Sequence, residues 1–232
     1  MTGGAPGPEV VPDPLGDGTA GEAARPGVLV WRFPSLRRSL STAPLGGGLG
    51  LARWALNLQV PGDYARTDPA AHLASVASAL GLEPGGLGMM TAVDVRDWQW
   101  ACEDGVEVAV TVGVTSPTWA AAPDDGSDAR GAAVHAPGTI NVVASLPAAL
   151  DDAALVNAAT TVAEAKAQAL AEAGVAGTGT ASDAVGVLCP AVDGDVGGER
   201  ATGFGGPRSY WGSRLARAVH RAVLAGLAGA PR

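Results

Sequence analysis

A lysine on the inward arc of a helix is the residue best equipped for chemistry in this chain. From Asp151 or Asp152 to about Ala173, apolar residues recur at helical spacing. On a helical wheel, Leu155, Ala158, Val162, Ala165, Ala169 and Leu170 share one arc, and Lys166 falls inside it. An ammonium among apolar neighbours is stripped of water, which suits it to act as a base or as a cation facing a developing oxyanion. The plainer alternative is a stem that lies along the core while the ammonium reaches solvent. Glu164 falls on the opposite side with Asn157, Thr161 and Gln168, a stripe that a solvated face explains. Glu164 nevertheless counts, with Lys166 and Asp183, toward a titratable cluster that passive binding would not need.

The second concentration of polar groups is Thr178-Gly179-Thr180-Ala181-Ser182-Asp183, just ahead of an apolar run. Glycine lets backbone approach a ligand, the hydroxyls of Thr178, Thr180 and Ser182 donate or accept, and Asp183 could orient or deprotonate a water. A turn tied by its own hydroxyls and carboxylate is the alternative. Asn57 and Asn141 interrupt apolar strand segments; a buried amide there must find partners in ligand or backbone. Gly46-Gly47-Gly48 lacks the Lys-Ser/Thr that completes a phosphate loop. His72, His135 and His220 are isolated, and no Ser-His-Asp, Cys-His or HExxH pattern can be written.

These residues need elements to position them. Val28 to Phe33 and Ala55 to Val60 read as strands, separated by a loop from Leu40 to Gly50. Asp68-Pro69 opens a helix with the acid as N-cap and proline at the first position, and Gly81 ends it. Leu87 to Val95 and Val106 to Val114 read as strands, and Pro117 to Pro137 as an exposed acidic loop. Thr139 to Ala144 is a strand, followed by the Lys166 helix, a short strand over Ala184 to Leu188 and a loop over Pro190 to Gly206. A last helix runs from after Pro207 to about Leu227, with Arg214, Arg217 and Arg221 in a stripe. The expectation is an α/β domain in an α+β arrangement over 27–230, with a mixed sheet and about three main helices. Residues 1–26, rich in Gly, Pro and Ala, are expected to be a disordered tail.

Composition narrows the function. A net charge of −8 argues against a nucleic-acid partner, which needs concentrated Lys and Arg. No apolar run is long enough to enter a membrane as a helix, and no basic-then-apolar leader opens the chain. Cys102 and Cys189 stand apart without nearby His, so neither zinc nor a disulfide framework is indicated, and a cytoplasmic location is expected. Six Trp against two Phe and two Tyr is an unusual ratio. Trp offers a flat face for a broad ring system, although core filling accounts for Trp31 and Trp54.

Taken together, the motifs resemble the adenosylcobinamide amidohydrolase family of corrinoid salvage. The residues that carry the resemblance start with Leu40-Ser41-Thr42-Ala43-Pro44-Leu45-Gly46-Gly47-Gly48, Asn57-Leu58-Gln59-Val60 and Asp63-Tyr64. Met90-Thr91-Ala92-Val93, Thr111-Val112-Gly113-Val114 and Gly138-Thr139-Ile140-Asn141 follow. Ala163-Glu164-Ala165-Lys166-Ala167, Thr178-Gly179-Thr180 with Asp183, and Gly205-Gly206-Pro207 before Trp211-Gly212 complete the set, spanning about residues 28–228. One departure is Ala181-Ser182 where the family pattern reads Gly-Thr. Serine keeps the hydroxyl, so the role is expected to survive in a stiffer loop.

The resemblance implies hydrolysis of the amide that joins aminopropanol to the corrin ring, giving adenosylcobyric acid and 1-aminopropan-2-ol. Asn57, Tyr64, Thr139, Asn141 and Thr178 would bind the substrate, with Trp98, Trp100 or Trp119 stacking on its flat surfaces. The preferred mechanism is attack by water with Asp183 as base, and Lys166 plus backbone N–H groups near Thr178 to Thr180 holding the oxyanion. The second is an acyl-enzyme through Thr180 or Ser182 activated by Lys166. Neither needs a metal or cofactor, since the corrinoid is the substrate. A corrinoid carrier without catalysis, and a hydrolase of another bulky amide, stay open, as does assembly into a homo-oligomer.

Overall fold

The computed structural model describes residues 7–16, 26–123, 138–191 and 202–229. Among them, one mixed sheet of eight strands carries three α-helices, as expected for the single domain. The strands are β1 (Glu9–Pro12), β2 (Gly27–Ser41), β3 (Gly48–Gln59), β4 (Leu87–Thr91), β5 (Gln99–Glu103), β6 (Val106–Val112), β7 (Ile140–Ser145) and β8 (Ala184–Pro190). Their order is β4-β3-β2-β8-β7-β6-β5, with β1 also on β2. The β3–β4 and β7–β8 pairs are parallel and the others antiparallel.

Strand β2 makes the sheet fold over. Its register with β3 breaks between Arg32 and Arg37. Residues ahead of the break pair with β1, and residues after it pair with β8. The irregularity therefore turns one strand from one layer into the next.

Strand alternation then sorts the side chains. Val106, Val108, Val110 and Val112 of β6, with Ile140, Val142 and Ala144 of β7, pack on α2 (Asp152–Glu172) and α3 (Tyr210–Gly229). Val28, Val30, Trp54, Leu56 and Leu58 pack on α1 (Pro69–Ala79). The remaining face of each layer, with Trp31, Ala55, Ala109 and Val143, forms a middle core. Asn57, Thr111 and Asn141 share that face by parity, so amides are carried into the space between the layers.

Several expectations are corrected. Within the tail expected to be disordered, Val10 and Val11 supply the apolar pair that lets β1 add to β2; residues 1–6 and 17–25 lie outside the described residues. The loop expected over Leu40 to Gly50 is shorter, residues 42–47, because β2 continues to Ser41 and β3 starts at Gly48. Strand β5 was unforeseen. Asp104 (φ 49) and Gly105 (φ 84) form the two-residue left-handed turn that closes an antiparallel hairpin. Beyond β4, Val95–Asp97 is a 3-10 turn capped by Asp94, not more strand.

Asp68 precedes Pro69 as expected but does not cap α1, because Arg66 takes both carboxylate oxygens (2.9 and 2.8 Å). Asp151 caps α2 through Ala154 N (2.8 Å). The α3 arginines are neutralised in place: Arg217 and Arg221 bond Glu103, and Arg214 bonds Asp104. That stripe fastens the β5–β6 hairpin. The expected loop at Pro117 to Pro137 is described only as far as residue 123, and that at Pro190 to Gly206 only at its ends; His135 lies outside the described residues.

Candidate active site

Lys166 leaves α2 on the face that packs on the sheet, and its ammonium meets the Asp183 carboxylate just ahead of β8. The two side chains are 11% and 9% exposed, so the pair is nearly dry. The alternative of an ammonium reaching solvent is therefore excluded. Burying two charges is tolerable only when their remaining hydrogen-bond capacity is satisfied.

Asp183 meets that condition. Its Oδ1 accepts Ile140 N (2.8 Å) and Thr180 Oγ1 (2.5 Å). Its Oδ2 accepts Lys166 Nζ and Thr180 N (3.0 Å). One carboxylate thus joins α2, the loop at 178–183 and the start of β7. Gly179 closes the back of the pair, and a Cβ there would lie 2.5 Å from Lys166 Nζ and closer still to Asp183. Only glycine lets the loop pass this near.

The loop is held from outside by residues 118–120. Thr118 N donates to Gly179 O (2.8 Å), Thr178 N to Thr118 O (2.9 Å), and Ala120 N to Thr178 Oγ1 (3.1 Å). The Thr178 hydroxyl is therefore engaged in tying two loops. Trp119 lies in the same crossing and is 55% exposed, leaving its ring open at the rim. Ser182 Oγ is exposed and 2.8 Å from Thr139 Oγ1.

On the inner face a buried amide relay runs beside the ion pair. Asn141 Nδ2 donates to Asn57 Oδ1 (2.9 Å) and to Met90 O (2.8 Å), while Asn141 Oδ1 accepts Ala184 N (3.2 Å). Asn57 Nδ2 donates to Thr111 Oγ1 (2.8 Å). Five strands are linked through two amides and one hydroxyl. Ile140 and Asn141 are consecutive, as are Asp183 and Ala184, so the two networks sit back to back across β7 and β8.

Of the sequence-predicted residues, Lys166, Asp183, Thr180, Ser182, Thr139 and Thr178 are brought together, with Trp119 at the rim and Asn57 and Asn141 directly behind. Three are not. Glu164 is exposed on the far side of α2, two residues and roughly 200° from Lys166. Trp98 is edge-on to Trp100 (6.0 Å), which meets Trp31 (5.1 Å), and packs on the middle core. Tyr64 stacks on His72 beside α1 and bonds its Nδ1 (3.0 Å). Burial pushes the Tyr64 phenol up, as does Asp68, against the pull of Arg66.

Thr111 and Gly179 were named only within longer motifs, and the Ile140 N–H was not singled out. Thr111 had a signal: with Glu107 it is one of two polar residues of β6, both on the Ala109 side. The backbone N–H had none. Among the described residues, no three His, Cys, Asp or Glu side chains converge as a metal site would need. Chemically, the cluster offers a fixed cation, a saturated carboxylate and hydroxyls of graded exposure. It can hold an oxyanion and pass a proton from a threonine hydroxyl.

Known proteins match this chain along most of its length. A family model described as adenosylcobinamide amidohydrolase matches residues 15–230. The adenosylcobinamide amidohydrolase of Halobacterium salinarum is 36% identical over 204 residues, 87% of this chain and 84% of that one. Its counterpart in Methanosarcina mazei is 30% identical over 187 residues, covering 79% and 86%. Among solved structures, the L-aminopeptidase D-Ala-esterase/amidase of Ochrobactrum anthropi superimposes with a TM-score of 0.44 at 13% identity, covering 98% of this chain and 87% of that one. A β-aminopeptidase from Burkholderia gives 0.45 at 16% identity, over 96% and 84%.

Proposed function

The chain belongs to the adenosylcobinamide amidohydrolase family, and from that premise we propose how a hydrolase of amide carbon–nitrogen bonds works with these residues. The substrate is adenosylcobinamide; water and its aminopropanol amide give adenosylcobyric acid and 1-aminopropan-2-ol, in cobamide salvage. The same proposal locates the enzyme in the cytoplasm and assigns it no cofactor. Among the described residues, no helix is long and apolar enough to cross a membrane.

The observation that carries the mechanism is the short hydrogen bond from Thr180 Oγ1 to an Asp183 carboxylate that also grips Lys166. Asp183 accepts two bonds at each oxygen, so a water finds no open lone pair there, and direct attack by water lacks its base. Attack by Thr180 needs no new contact. Its oxygen bonds to the amide carbon while its proton moves along the existing bond to Asp183.

The Lys166 ammonium faces the oxyanion and then gives a proton to the departing amine as the C–N bond breaks. Water next attacks the Thr180 ester. Its proton returns to Lys166, its hydroxyl stays on the acyl carbon, and the Asp183 proton goes back to Thr180 Oγ1. Thr139 and Ser182 form the polar rim that the amide crosses, and exposed Trp119 offers a face to the ring system.

A carrier that binds without cleaving is the weaker reading, since passive binding does not need a titratable Lys–Asp–Thr cluster. The test is incubation of purified protein with adenosylcobinamide, followed by mass spectrometry. Formation of adenosylcobyric acid with free aminopropanol is expected. Binding of intact corrinoid without cleavage would put the carrier reading first.

A further inference from the structure

A cleft of about 1080 Å³ opens at the end of the sheet where β6 and α2 finish. Its walls include Val93, Val112, Val114, Val175, Leu224 and Leu227, an aliphatic surface with Asp94, Asp97 and Gln99 along one side. That volume is at the upper end of the range for small-ligand sites, roughly 1,000 Å³, and leaves room for a large ligand with apolar faces.

The cleft is built from the segments that carry the catalytic cluster. Gly113 to Thr115 form one wall and Ala173 to Val175 another. The first runs on to Thr118 and the second to Gly179, and these two are hydrogen bonded to each other beside Lys166. Gly113 N also donates to Thr139 O (3.0 Å). Thr118 is three steps along the chain from Thr115, so the wall ends within about 10 Å of that crossing. That spacing suits a ligand whose bulk rests in the cleft while one arm extends to the cluster.

The rim has a sign. Arg96 bonds Asp94, holding that carboxylate below its usual range, and Asp97 is a second carboxylate beside the same guanidinium. Among the described residues, two acids against one arginine leave this edge negative. Such an edge accepts hydrogen bonds from primary amides and attracts a cation, while it repels peripheral carboxylates and phosphates.

Resting on the function proposed above, we propose that this cleft is the corrin subsite. The ring lies against the aliphatic wall, its peripheral amides donate to Asp97 and Gln99, and the aminopropanol arm passes Gly113 and Thr139 to the cluster. Cobalt(III), the corrin anion and the adenosyl carbanion together leave one positive charge on the ligand, matching the rim. The rim thereby selects fully amidated, cationic corrinoids over forms that still carry free carboxylates.

The experiment uses the full chain, with Ala228→Trp to fill the cleft from an exposed position and Asp97→Lys to reverse the rim. Melting curves first confirm that each variant is folded. Turnover of adenosylcobinamide is then measured across substrate concentration. Each variant is expected to raise KM by about tenfold, with a much smaller change in kcat, as for lost ground-state binding. Should Ala228→Trp melt early, Asp97→Lys decides alone. Unchanged KM in a folded Asp97→Lys, beside an active wild type, would overturn the cleft assignment and leave the reaction standing. An inactive wild type would instead remove the functional reading itself.

Discussion

Lys166 and Asp183, one on a helix and one in a loop, form an ion pair with about a tenth of each side chain in water. Each charge is compensated there by the other. Asp183→Asn removes the anion and leaves the ammonium uncompensated, which costs about 3 kcal/mol when a buried pair is broken. For a domain of this size that lowers Tm by roughly 10 °C. Thermal melting of the variant checks it, and a Tm within a degree of wild type would mean the pair is not held as described.

Gly179 tests the geometry without touching a charge. In Gly179→Ala the new methyl displaces the ammonium, the carboxylate or the loop. Turnover is expected to fall about a hundredfold, the scale seen when a catalytic donor is misplaced, while the fold survives. Steady-state kinetics beside circular dichroism distinguishes this from unfolding. Full activity would remove the close approach from the account.

The amide relay makes a prediction about stability. Asn141→Leu strips the donor from Asn57 Oδ1 and Met90 O and the acceptor from Ala184 N, all buried between the layers. On the order of 3 kcal/mol is expected to be lost, since each orphaned group carries its own desolvation penalty. Chemical denaturation reads this directly. A loss below about 1 kcal/mol would show that water replaces the amide.

Glu107 gives a pH dependence. Burial pushes its carboxyl above the usual range, against the pull of Arg37. A carboxyl raised in the folded state favours the protonated form, so its stabilisation is complete below the unfolded pKa and is lost as pH rises through the folded value. Glu107→Gln mimics the protonated side chain. It is expected to be more stable than wild type at pH 7, with the difference vanishing near pH 4. Melting at both pH values checks the sign, and a variant less stable at pH 7 contradicts it.

How much of this was legible in the sequence follows the range of the interactions. Helical period put Lys166 on the inward arc, and the Gly138–Asn141 and Thr178–Asp183 segments read as polar groups at strand ends, because these are local patterns. Thr161 was read as part of the solvated stripe, yet it is buried and donates to Gly205 O (2.9 Å). A covering segment 44 residues away decides its environment, and no wheel contains that. The Asp104-Gly105 turn was written in the chain and implied β5. That four donors converge on Asp183 was not legible, since two are backbone N–H groups that every residue type supplies. In the proposed mechanism Asp183 therefore takes its proton from Thr180, to which it is already bonded, and not from a water.

The most direct test is product formation by Lys166→Met beside wild type, with corrinoid binding followed in the same samples. Wild type is expected to yield adenosylcobyric acid and aminopropanol, and the variant to bind adenosylcobinamide and leave it intact. Turnover by the variant at a rate near wild type would contradict it, and would move the chemistry away from the Lys166–Asp183 pair.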